Sequence, residues 1–147
     1  MTVVNQPIAL VSTFLWIGFV CAISFLEAWL KFRAPGVTLP IGLGIGRLVF
    51  TALNKIEWVF AIAITVNLVF SKWQWMQLNS LFLIIPIILL LIQTLWLLPA
   101  LDARAEMHIQ GVVVPSSNLH FYFVGMELVK VTGLFFGGIR LFKSIAI

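Results

Sequence analysis

The chain has 147 residues, 62% of them hydrophobic and 10% charged. A soluble domain is roughly 45–50% apolar and about 25% charged, so this composition excludes an ordinary soluble fold and indicates a membrane protein. The net charge of +4 is spread along the chain, which argues against a nucleic-acid footprint, and the single Cys21 excludes an intrachain disulfide.

At about 20 residues per span, the length suits one transmembrane domain, 1–147, with four spans. The first is expected over about 7–30. No Lys or Arg precedes it, which predicts a retained span and not a cleaved leader. Ser24, Glu27 and Lys31 recur at spacings of three and four, so on an α-helix they share a face. The next stretch holds Arg33, Pro35, Gly36 and Pro40 and reads as a turn. Thr38 is placed to cap a second helix, with Pro40 in its first turn.

The second span is expected over about 41–70 as one long tilted helix. The alternative is an interfacial helix that turns into a short span, because Arg47, Asn54, Lys55 and Glu57 interrupt its first half. Asn54, Glu57 and Ala61 share a face in either case. Lys72, Trp73 and Trp75 resemble an interfacial belt at a tight connection. The third span, about 80–101, is the most apolar. Pro86 is a candidate kink, Gln93 is the main internal polar group, and good helix formers continue to His108. Gly111 and Pro115 then break the pattern. Ser117 or Asn118 is placed to cap the fourth span, about 118–142.

An up-down-up-down bundle puts the first and third connections on one side. All five acids, Glu27, Glu57, Asp102, Glu106 and Glu127, belong to that side. So do His108, His120, Lys31, Arg33, Arg47, Lys55, Arg104 and Lys130. The other side receives Lys72, Arg140 and Lys143 alone. The bundle is therefore expected to have a polar half and a dry half. The excess of Lys and Arg around the polar end predicts that it faces the cytoplasm, with both termini outside. Glu127 lies about 13 Å into its span at 1.5 Å per residue, deep enough to need a partner or water.

Four chemistries compete for these groups. Glu27, Glu57, His120 and Glu127 are candidate metal ligands, since bundles build such sites from inward carboxylates and histidines. No Glu-x-x-His pair supports them. The plainer reading is a neutralising network, with Glu27–Lys31, Glu127–Lys130 and Glu57 with Arg47 or Lys55. His108 and His120 are candidate axial haem ligands. His120, Glu127 and Glu57 also suggest a proton or ion relay, although few polar groups continue it into the dry half. The pairs Gly42/Gly46 and Gly133/Gly137 are spaced for close helix packing.

The motifs Phe25-Leu-Glu-Ala-Trp-Leu-Lys-Phe-Arg33, Gly46-Arg-Leu-Val-Phe-Thr-Ala-Leu-Asn54, Leu101-Asp-Ala-Arg104 and Leu119-His120 resemble small uncharacterised four-span bacterial membrane proteins. In layout the chain also resembles the eukaryotic transmembrane-protein-205 family: a first helix ending in Phe-Arg, an Arg near the third helix end, and a His opening the fourth. The resemblance implies a four-span topology and no particular chemistry.

The sequence thus predicts an all-α integral membrane four-helix bundle, placed in a bacterial inner membrane. A one-sided polar pocket is expected from Glu27, Arg47, Asn54, Glu57, Arg104, His120, Glu127 and Lys130. The leading function is a non-catalytic accessory subunit, or a binder of a lipid or quinone-like ligand. The expected partners are the lipid bilayer and other membrane subunits or further copies of the chain, and no cofactor is specified. The competing functions are a membrane enzyme or metal- or haem-binding protein using the Glu/His cluster, and an ion-coupled transporter.

Overall fold

The computed structural model describes residues 5–71 and 80–143, so the expected belt at Lys72, Trp73 and Trp75 lies outside the described residues. No strand occurs among the described residues. Helix α1 spans Pro7–Arg33, α2 Leu39–Phe70, α3 Leu81–Ile109 and α4 Leu119–Lys143. All four are long and apolar enough to cross a membrane, the mark of a multi-pass membrane protein.

The helices outrun most of the expected spans. Helix α1 continues to Arg33, and α3 runs through the charged stretch from Asp102 to Ile109. Helix α2 passes unbroken through Asn54 and Lys55, so the interfacial alternative does not form. Its 32 residues make a rod of about 48 Å. Thr38 stands at the α2 N-cap with extended backbone, φ −79° and ψ 167°, and makes no side-chain capping bond; Pro40 preorganises the first turn. Gly36 and Gly111 take φ of 81° and 75°, the left-handed conformation that a glycine adopts without strain, and so turn the chain out of α1 and α3. At the start of α4, the Leu119 N–H donates to Ser117 Oγ at 3.2 Å.

Helix α1 packs on α2 and α4, and α3 packs on the same two, which closes a four-sided bundle. The core at the end near the chain's start is apolar: Ala9, Val20, Ile64, Leu68, Leu83, Leu90, Leu134 and Leu141. Pro86 sits inside α3 without ending it, and its ring meets α4 at Gly133. A Cβ on Gly133 would lie 3.1 Å from both the Phe82 carbonyl oxygen and Pro86 Cγ. One on Gly137 would lie 2.6 Å from the Leu83 side chain. These two glycines are what allow α3 and α4 to touch.

Two segments, Cys21–Glu27 in α1 and Gln93–Leu97 in α3, are wound as π-helix. Such turns are rare and concentrate at functional sites. Both lie where the dry core gives way to polar side chains.

Candidate functional site

At the middle of the bundle Lys130 is completely buried. Its Nζ donates to Glu57 Oε2 at 2.5 Å, to Gln93 Oε1 at 2.5 Å and to Glu127 Oε1 at 2.6 Å. An ammonium has three N–H donors, and here acceptors from α2, α3 and α4 take all of them. The remaining helix closes the network. From α1, Trp16 Nε1 donates to Glu57 Oε2 at 2.7 Å and Ser24 Oγ to Glu127 Oε2 at 2.8 Å. Gln93 Nε2 donates to Glu127 Oε1 at 2.7 Å. Every helix thus contributes at least one side chain to this cluster.

Above the cluster, toward Arg33 and His120, the helices splay around a pocket of about 520 Å³. Phe32, Leu43, Phe50, Leu98 and Phe123 form apolar walls. On the floor, Asn54 Nδ2 and Trp58 Nε1 each donate to Thr94 Oγ1 at 2.9 Å, and Thr94 Oγ1 donates to the Leu90 carbonyl at 2.7 Å. At the rim, Arg47 grips Asp102 through Nε at 2.6 Å and Nη2 at 3.1 Å, and also bonds Glu106 through Nη1. Lys31 pairs with Glu27 at 3.0 Å, and its Nζ lies 5.5 Å from the ring centroids of Phe32 and Phe50.

Gly42 and Gly46 make room for these two side chains. A Cβ on Gly42 would lie 2.1 Å from the Phe32 ring, and one on Gly46 would lie 3.4 Å from Lys31 Nζ. They therefore admit side chains from the end of α1, whereas Gly133 and Gly137 accommodate α3 directly.

The π turns set the register of both features. On an α-helix Ser24, Glu27 and Lys31 would face one way. Through the π turn, Ser24 points into the cluster while Glu27 reaches the pocket lysine. In α3, Gln93 enters the cluster and its neighbour Thr94 forms the pocket floor. Cluster and pocket therefore lie back to back, about one helical turn apart.

The single polar pocket expected from the sequence is divided in two. Glu57, Glu127 and Lys130 form the buried cluster; Arg47, Asn54 and His120 line the pocket, and Glu27 bonds its Lys31. Arg104 belongs to neither, because its Nη2 donates to the Pro115 carbonyl at 2.5 Å and holds the α3–α4 connection. Glu57 pairs with Lys130, and the suggested pairing with Arg47 or Lys55 does not form: Arg47 is taken by Asp102 and Glu106. Among the described residues no three of His, Cys, Asp and Glu come together as a metal ligand set: of the four candidates Glu57 and Glu127 meet on Lys130, while His120 lines the pocket and Glu27 bonds its Lys31. His120 lines the pocket and His108 does not. Sequence reasoning missed Trp16 and Ser24 as cluster members, since one sits among apolar residues and the other turns inward only because of the π winding.

Comparison with family models, with curated proteins and with solved structures finds no match.

Proposed function

We propose that the protein is a non-catalytic membrane protein of four alternating spans that binds a small amphipathic ligand, a lipid or quinone-like molecule, in the pocket at its polar end. The pocket itself carries this reading. Its volume of about 520 Å³ falls within the roughly 300–1,000 Å³ typical of small-molecule sites, and it combines apolar walls with a few polar groups. Most of those polar groups are bonded to one another. Among the described residues, Thr51 and His120 line the pocket without a hydrogen-bond partner, so both are free to meet a ligand carbonyl or headgroup.

The opposite half supports a closed pocket over a through-path. Thr13 and Thr65 spend their hydroxyls on the carbonyls of Ala9 and Ala61, at 2.7 and 2.8 Å. Asn67 Oδ1 accepts from the Ala9 N–H at 2.9 Å. These three side chains are satisfied locally within a continuous apolar core, and Gln6 Oε1, buried at the same end, is left without a partner among the described residues.

The test is mass spectrometry of the detergent-purified protein for retained small molecules, beside Ala105→Phe, which fills the pocket from α3. A lipid or quinone held in stoichiometric amount by the wild type and lost from the variant is the expected result. A wild-type protein that retains nothing beyond bulk lipid overturns the proposal.

A further inference from the structure

We infer that the Glu57–Lys130–Glu127 cluster is a binding site for one exchangeable proton, loaded from the pocket side. The inference does not depend on which ligand the pocket takes. It starts from the charge count. The titratable groups that meet here are Glu57 from α2 and Glu127 and Lys130 from α4; α1 supplies Trp16 and Ser24 and α3 supplies Gln93, all neutral. Two carboxylates face one ammonium in a site where Glu57 is 3% exposed and Glu127 and Lys130 are 0% exposed. An uncompensated charge in such surroundings is costly, so the site calls for one more positive charge.

Three sources of that charge are conceivable. A second basic side chain is excluded by its partners: Lys31 is bonded to Glu27, Arg47 to Asp102 and Glu106, and Lys55 is exposed and makes no bond to the cluster. A metal ion needs a shell of free oxygens. Here both oxygens of Glu127 and one of Glu57 already accept from N–H or O–H donors, which point their positive ends at the space a cation would occupy. A proton adds no volume and needs one free lone pair.

The bonding pattern also says which carboxylate takes it. Glu127 accepts three hydrogen bonds, spread over both oxygens. Glu57 accepts two, both on Oε2, and its Oε1 receives none among the described residues. Both Glu127 oxygens are occupied by donors, so the one carboxylate oxygen of the cluster with a free lone pair for the proton is Glu57 Oε1. Glu57 is also the member of the three that keeps some exposure, and it lies one turn below Asn54 on the pocket floor. On its other side stand Ala61, Ile64 and Leu68. Exchange therefore runs through the pocket.

The test is infrared spectroscopy of the full-length protein in lipid nanodiscs at neutral pH, reading the carbonyl stretch of a protonated carboxylic acid and its shift in deuterated water. Glu27, Asp102 and Glu106 each face a cation and add no such band. The wild type is expected to show the band. Glu57→Gln and Glu127→Gln, both isosteric, are each expected to lose it, because either one leaves a single carboxylate against a single ammonium. Lys130→Met is expected to strengthen it. A wild-type spectrum without the band overturns the inference, and so does a band that survives in both Gln variants. Stabilisation of the wild type by sodium, absent in Glu57→Gln, would identify the missing charge as a metal ion and likewise overturn it.

Discussion

Lys130 Nζ lies 2.5 Å from Glu57 Oε2, although the two residues are 73 positions apart and sit on diagonally opposite helices of the bundle. The bond ties α4 to α2 at the level where the apolar core ends. Removing the cation leaves the buried Glu127 carboxylate without its counter-ion. Lys130→Met is therefore expected to destabilise the fold by about 3–5 kcal/mol, measured by thermal unfolding in detergent. Adding Glu57→Gln and Glu127→Gln to it removes the unpaired acid, and most of the lost stability should return. A triple variant no more stable than Lys130→Met would show that the pairing is not what holds these helices together.

The indole N–H of Trp16 serves the same Glu57 oxygen from α1, at 2.7 Å. Trp16→Phe keeps most of the packing and deletes the donor. With the proton on Glu57 the bond is a neutral one, worth about 0.5–1.5 kcal/mol, and a loss of that size is expected in the same unfolding assay at neutral pH. In Glu57→Gln the acceptor is neutral as well, so the further cost of Trp16→Phe should stay about the same, whereas an ionised Glu57 would make it shrink. A double-mutant cycle reads that coupling directly.

Two glycines of α4 should respond in opposite ways. Gly133 faces the Phe82 carbonyl, a backbone atom that cannot swing aside, whereas a Cβ on Gly125 would meet nothing within 4 Å. Gly133→Leu is expected to cost about 1–3 kcal/mol through overpacking. Gly125→Leu should be neutral, with equal melting temperature to the wild type. Equal losses at both positions would mean that the contact with α3 is not what penalises Gly133→Leu, since helix propensity alone favours leucine over glycine.

Arg47 holds Asp102 and Glu106 at the pocket rim in a solvent-exposed pairing. Exposed ion pairs contribute little to stability. Arg47→Ala is therefore expected to leave the unfolding temperature almost unchanged while lowering ligand retention, because α2 and α3 lose their clasp across the pocket mouth. Unfolding and retained-ligand measurements on the same preparation separate the two effects.

The spans were legible because long apolar runs report burial in lipid whatever the neighbours do. Breaks at Gly36 and Gly111 were legible because few other signals end a helix so sharply. Glu127–Lys130 could be read from its spacing on one helix, and Glu27–Lys31 likewise. The partner of Glu57 could not, since a contact between α2 and α4 depends on how the helices rotate against each other. Depth along the axis placed the polar groups in the same half of the molecule, but depth does not fix azimuth, and one expected pocket became two sites. The π turns were hidden for a related reason: a period of 3.6 residues is assumed whenever a helical face is drawn, and Ser24 leaves its expected face when the winding changes.

The dry half has an electrical consequence. In a membrane, voltage falls mainly across the part of a protein that holds neither water nor mobile charge. Here that part is the core from Leu68 and Leu141 up to Ile64 and Leu134. The cluster, lying one turn beneath an open pocket, sits at nearly the potential of the pocket side. Moving a unit charge through the whole field costs about 2.3 kcal/mol per 100 mV, and a proton reaching Glu57 would cross only a small part of it. Its occupancy should follow the acidity of one compartment and be almost indifferent to membrane potential.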